Sequence, residues 1–370
     1  MSVVEQPDAL TRRTVLSGGA ALLLGGVAGT SVAGAANPDG PSLKEIAAAR
    51  NLQISSAYNG WEDPRLLELL VRHCNVITPE NALKAAEISS ADGTRFTPDK
   101  MDEIADFCGR NSLGLHGHAL YWHQSLPAWL GSTSIKDAER AHAKLLRYVM
   151  TRYPQIQSWD VVNEPISDHT EGYRENTILS EKGDAFLKFL FTTARQLAPH
   201  ATLVLNDYNL SCGAAFCDSK RSTLLRTLER LLHQGTPIDA LGVQAHLVPR
   251  LPVVPKKVQA FLQDVSDLGL DVHVSEMDVN DIDLPENEVE RDHLIAQIYK
   301  DYLDAVLSQD NVKRIGFWGL TDRFHWIVEG YAPFKRGKGT PRPALFDQDL
   351  RPKPAFFAVA DALRADPVRP

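Results

Sequence analysis

Two glutamates in this sequence stand where acid–base chemistry would need them. Glu164 closes the apolar run WDVVNEP at 159–165, and Glu276 lies towards the end of DVHVSEMDV at 271–279. A facing pair of carboxylates can cleave a glycosidic bond: one protonates the departing oxygen, while the other attacks the anomeric carbon or activates water against it. Like charge favours that division, because two close carboxylates resist ionising together.

Such a pair needs a frame that brings distant segments to one place. Eight short apolar runs recur along the chain: LQISSAY near 52, NVITPEN near 75, LGLHGHALYW near 113, QSWDVVNE near 157, TLVLNDYN near 202, ALGVQAHL near 240, DVHVSEMDV near 271 and RIGFWGLTD near 314. Between them, stretches such as AHAKLLRYVMTRY and STLLRTLERLLHQ repeat apolar residues at three and four, as amphipathic helices do. Strand and helix alternating eight times predict an α/β fold, a (β/α)8 TIM barrel, built as a single catalytic domain. In at least six runs the carboxylate, amide, His or Trp comes last, at the carboxyl end where a barrel assembles its active site. Glu164 falls on the fourth strand by this count and Glu276 on the seventh.

Composition narrows the remaining possibilities. The chain has 370 residues, 44% apolar and 23% charged, with a formal charge of -8 and no long basic run. That excludes the dense cationic footprint of a nucleic-acid-binding protein. Four cysteines without paired CxxC spacing make neither a disulfide scaffold nor a zinc knuckle. Cys74 and Cys108 read as buried thiols, and the loop-like SCGAAFC leaves a Cys212–Cys217 bridge open either way.

The N-terminus reads as an export signal. Arg12 and Arg13 precede a Gly-rich apolar run from Val15 to Val27 and then Ala33-Gly34-Ala35, the order of a bacterial twin-arginine signal. We expect residues 1–35 to be removed and 36–370 to form the barrel domain, secreted or periplasmic. No other segment is long and apolar enough to anchor it, so no membrane association is expected after signal removal.

The motifs WDVVNEP, SEMDV, TPENALK, GHALYWH followed by LPAWL, NDYN, QAH, and FWGLTDRFHW with later ALFD and KPAFF resemble glycoside hydrolase family 10, chiefly endo-1,4-β-xylanases. They run in family order from about residue 50 to 360. The resemblance implies a retaining double displacement on the β-1,4-xylosidic bonds of xylan, with Glu164 as general acid/base and Glu276 as nucleophile. It further implies that Asn163 binds the sugar 2-hydroxyl, that Glu80, Asn81, Lys84, His118 and Trp122 contact the donor-side sugar, and that Trp318 and Trp326 form aromatic walls. Glu276 and Asp278 share parity on one strand, as do Gln244 and His246 on another, so His246 is expected between Asp278 and Glu276, orienting the nucleophile. The implied partner is a polysaccharide or oligosaccharide, with no cofactor and no metal, and the protein is expected to be a monomer. Departures concern the donor side: His116 stands where the family has Arg, Ala85 and Ala86 where it has Trp, and Gln124-Ser125 where it has Ser-Gln.

Rival readings explain less. His116-Gly117-His118, with His246 and Asp322, resembles the ligand set of a metal-dependent barrel hydrolase, but that pair belongs on the first strand and here falls on the third. It also leaves both glutamates without a role. A non-catalytic sugar-binding barrel would be expected to have lost a carboxylate or its tuning groups, and all are present. The same mechanism on a β-glucan, an aryl glycoside or a plant defence glycoside is the remaining alternative.

Overall fold

The computed structural model describes residues 40–131, 135–330 and 336–365, so the expected export segment lies outside the described residues. Eight parallel strands form the barrel: β1 Gln53–Tyr58, β2 Val76–Pro79, β3 Gly114–Gly117, β4 Ser158–Asn163, β5 Thr202–Asp207, β6 Ala240–Val243, β7 Asp271–Val279 and β8 Val312–Phe317. Each pairs with the next, and β8 returns to β1 with Gln53 opposite Arg314, so the sheet closes and leaves no open edge. Every residue of β2, β4 and β6 is buried, the signature of strands covered on both faces.

The covering helices follow from spacing and caps. In Pro64–His73 the Asp63 side chain accepts the Arg65 N–H, Pro64 fits the first turn, and Leu66, Leu70 and His73 form the buried stripe. Asp184–Leu197 buries Phe186, Leu187, Leu190, Phe191 and Ala194 in the same way.

Two expected strands differ in detail. The run LGLHGHALYW is not one strand: β3 stops at Gly117, the His118–Ala119 peptide is cis, and pairing resumes with the Leu120 and Tyr121 N–H groups on the Asp160 and Val161 carbonyls. Nor do Gln244 and His246 project from one regular strand. β6 ends at Val243, Ala245 takes a left-handed φ of +61°, and His246–Leu247 forms a separate short pairing beside Asp278–Val279. The left-handed residue resets the direction of the chain, so both side chains reach the mouth by a turn and not by strand parity.

Cys212 and Cys217 form a disulfide, and Cys74 and Cys108 are free and buried, their thiols pushed up to about 12 by that burial. The barrel wall leaves no room for a side chain where Gly117 of β3 meets β4. A Cβ on Gly117 would stand 2.0 Å from the ring of Trp159, itself only 1% exposed. Gly117→Ala is therefore expected to destabilise the fold by about 1–3 kcal/mol through overpacking, read as a lower denaturant midpoint; an unchanged midpoint would show that the Trp159 ring can yield.

Candidate active site

The side chains at the carboxyl end of the barrel are aimed there by irregularities in two strands. On β4, Ser158 and Asp160 point into the barrel, where they meet His116. Regular alternation would bring Val162 inside next and turn Asn163 outward. The register slips between Asp160 and Val162, and Asn163 faces inward instead. On β7 a similar slip between Val274 and Met277 lets Ser275 and Glu276, neighbours in sequence, both reach Asn206. Glu164 follows β4 directly and carries a φ of +56°, a conformation that a non-glycine residue keeps only where its surroundings enforce it.

One relay joins the two glutamates. The Asn206 amide donates to Asn163 Oδ1 at 2.9 Å and to Glu276 Oε1 at 2.7 Å, while the Gln244 amide donates to Asn163 Oδ1 and Glu164 Oε1, both at 3.2 Å. Gly242 makes room for it, since a Cβ there would stand 2.2 Å from Asn206 Oδ1. His246 bridges Asp278, at 2.9 Å through Nδ1, and Glu276, at 3.2 Å through Nε2. Asp278 also accepts the Trp326 indole N–H at 2.8 Å, which fixes that ring 5.2 Å from the His246 ring. Trp318 packs edge-on against His118, with ring centroids 5.1 Å apart.

A second group lies alongside. Lys84 Nζ donates to Asn81 Oδ1 at 2.7 Å and sits 4.5 Å above the Trp122 ring, and Asn81 in turn contacts Glu80. Every residue expected from the sequence to form the site is thus placed in one of these two groups or, for His118 and Trp318, against them. His118 and His116 do not converge on an open position. Both rings engage the same oxygen of Asp160, at 2.8 and 3.0 Å, and Asp322 pairs instead with Lys353 at 2.9 Å. Among the described residues, His118, Asp160 and Glu276 form the one cluster compact enough to hold a cation, with polar atoms within 4.8 Å of one another. Its atoms are already engaged by His116, Asn206 and His246. His116 is likewise committed, to Asp160 and Ser158, and cannot swing towards a sugar. Ser125 is buried, its Oγ meeting the Ala86 N–H at 3.4 Å.

Comparison with known proteins places this constellation in context. The profile of glycosyl hydrolase family 10 matches residues 42–362. The chain belongs to that family. Relatives of this family 10 enzyme include endo-1,4-beta-xylanase A of Caldicellulosiruptor saccharolyticus, 31% identical over 79% of this chain and 87% of that protein, and an endo-1,4-beta-xylanase of Geobacillus stearothermophilus, 30% identical over 87% and 98%. The crystal structure of xylanase 10B from Thermotoga petrophila RKU-1 in complex with xylobiose aligns with a TM-score of 0.79 at 28% identity, covering 88% of this chain and 98% of that one.

The electrostatics of this family 10 site favour a proton on Glu164. Burial raises Glu164, and the nearby charges of Asp207 and Glu276 raise it further, against opposing contributions from Trp122 and Gln244. Burial also lifts Glu80 to about 7, partly offset by Lys84. Asp160 stays ionised because the two histidines outweigh its burial. Sequence reasoning missed Asn206, Asp160 and Ser275 as members of the site. Asn206 was within reach in NDYN, as a polar residue ending the fifth strand; Ser275 depends on the β7 slip, which no local pattern announces.

For His246 burial alone would lower the pKa, but the Asp278 and Glu276 carboxylates overcome it and hold the imidazole up to about 10. The unfolded value is about 6.5, so the stabilisation from this charge is complete below that and is lost as pH rises towards 10. Proton NMR should accordingly show the His246 ring resonances titrating near pH 10. A midpoint near 6.5 would mean the ring is neutral in the working enzyme.

Proposed function

We propose that this hydrolase is an endo-1,4-β-xylanase that cleaves the xylan backbone by double displacement, with Glu164 as acid/base and Glu276 as nucleophile. The observation that carries this reading is the shared amide relay with opposite surroundings at its ends. Glu164 is buried with carboxylates near it and favours its proton. Glu276 faces the protonated His246, whose two ring N–H groups donate to Glu276 and to Asp278, so a cation stands beside the nucleophile. The relatives named as xylanases and the xylobiose complex support xylan as the substrate.

The reaction then runs in two balanced steps. Glu276 attacks the anomeric carbon as the Glu164 proton passes to the departing oxygen, leaving a glycosyl ester and a free hydroxyl. Esterification removes the charge of Glu276, so Glu164, now without its proton, can stay ionised; it takes a proton from water and directs that oxygen to the same carbon as the Glu276 carboxylate leaves. Two inversions give net retention. Asn163, held by two amide donors at its carbonyl, is set to bind the 2-hydroxyl, a contact that tightens as the oxocarbenium-like state forms. Glu80, Asn81, Lys84, His118 and Trp122 form the donor-side sugar contacts, with Trp318 and Trp326 as the aromatic walls.

The test is a panel of xylan, mixed-linkage glucan and cellulose oligomers with products identified as they form. Internal cleavage of xylan, with the β anomer appearing before mutarotation, is expected. In kcat/KM, Glu164→Ala should cost about 10²–10⁴-fold where the leaving group needs a proton and little where it does not, while kcat falls for both because the second step loses its base; Glu276→Ala should be severe for every leaving group. Faster turnover of a glucan would move the substrate, and initial α product would overturn the mechanism.

We also propose that residues 1–35 direct export through the twin-arginine route, leaving 36–370 as a monomeric barrel outside the cytoplasm. Among the described residues no helix is long and apolar enough to cross a membrane. Replacing Arg12 and Arg13 together with Lys should leave precursor in the cytoplasm, because the receptor reads the pair and not bulk charge; unchanged secretion would point to another route.

A further inference from the structure

Behind Glu164 the chain folds back on the residue it has just left. Ile166 and Tyr173 bridge antiparallel, Ser167 N–H reaches the Gly172 carbonyl at 3.0 Å, and Arg174 N–H reaches the Pro165 carbonyl at 2.8 Å. This hairpin brings the Arg174 guanidinium against the backbone of the glutamate. Its Nε donates to the Glu164 carbonyl at 3.0 Å and its Nη2 to the Ile166 carbonyl at 3.1 Å. The rest of the fork is fixed in turn, by Tyr208 Oη at 2.9 Å and Asp168 Oδ2 at 3.1 Å.

The opposite side is braced as well. Glu164 N–H donates to the Asn206 carbonyl at 2.8 Å, and Ile166 N–H to Asp207 Oδ2 at 3.0 Å. Lys220, on the helix Ala215–His233 and only 3% exposed, ties Asp207 to Asp168, both at 2.9 Å. The N–H and carbonyl of Glu164 and those of Ile166 therefore all have partners, and the one that holds the Glu164 carbonyl is a side chain ten residues away in sequence.

We propose that Arg174 is a positioning residue for Glu164, clamping the backbone so that the carboxyl meets the departing oxygen. It touches no reacting atom, and the inference rests on the reading of Glu164 as the acid. Without the clamp the carboxyl is restrained from its side-chain end, by the Gln244 and Asn163 amides and by Trp122, and a relaxation of the φ of +56° swings it away from the leaving group. A displacement of about 1 Å in a catalytic group can cost about 10²-fold. Lysine cannot substitute, because a point charge does not reproduce the planar fork that spans two carbonyls and a carboxylate.

The test compares kcat/KM for an unactivated xylo-oligosaccharide with that for a dinitrophenyl xylobioside, whose leaving group needs no proton. Arg174→Met should lower the first about 10²-fold and the second less than about 3-fold, with Arg174→Lys recovering little. Tyr208→Phe, which removes one anchor of the fork without changing its volume, should show a smaller loss of the same selective kind, and carries the test should the Arg174 variants fail to fold. Equal losses on the two substrates, or none, in whichever variants fold would overturn the proposal, since damage to the fold does not depend on the leaving group. Glu164→Ala measured alongside separates the two ideas: if it too shows no leaving-group dependence, the acid itself has been misassigned.

Discussion

Two carboxylates of like sign, buried in one barrel mouth, cannot both be charged without a partner, and the mouth is arranged around that difficulty. The solution is asymmetric. Glu276 has a cation beside it in His246, itself secured by Asp278, whereas Glu164 has burial and the charge of Asp207. Between them lie amides, which carry hydrogen bonds but no charge and so join the two groups without cancelling the difference. The two histidines on Asp160 extend the same logic one layer deeper, where hydrogen bonds and charge from His116 and His118 outweigh the burial of an anion.

The closed sheet makes this arrangement possible because it brings eight strand ends to one rim, and it makes it precise because the rim is irregular. Slips on β4 and β7 and the left-handed residues Glu164 and Ala245 all lie at the carboxyl end. Lower down, where β3 pairs with β4, Trp159 packs against Gly117 with no room to spare. Regularity serves the core, and departures from it serve the site.

That contrast also explains what could be read from the sequence. The eight strands, the helices between them and the two glutamates were legible because alternation and periodicity are local and repeat eight times. The pairing of His246 with Asp278 and Glu276 was legible too, although parity gave the right neighbours for His246 and Gln244 through a geometry the chain does not use. The inward turn of Asn163 and the shared contact of Ser275 and Glu276 were not legible, because a register slip is a property of two strands together. His116 looked like a donor-side residue by alignment of motifs, yet it lies beneath the site, bonded to Asp160 and Ser158. Arg174 and Lys220 carry no motif at all; only the hairpin and the packed helix reveal what they face.

The Asn206 amide has a consequence for which replacements a lineage could accept. Its nitrogen serves two oxygens, on Asn163 and Glu276, and its oxygen receives the Ser275 hydroxyl. Aspartate has nearly the same outline and would fit the space beside Gly242 without a clash. It would nevertheless set an acceptor against two acceptors and add a negative charge beside Glu276. The position is thus closed to its nearest isostere, and drift there is limited by the direction of hydrogen bonds and not by volume.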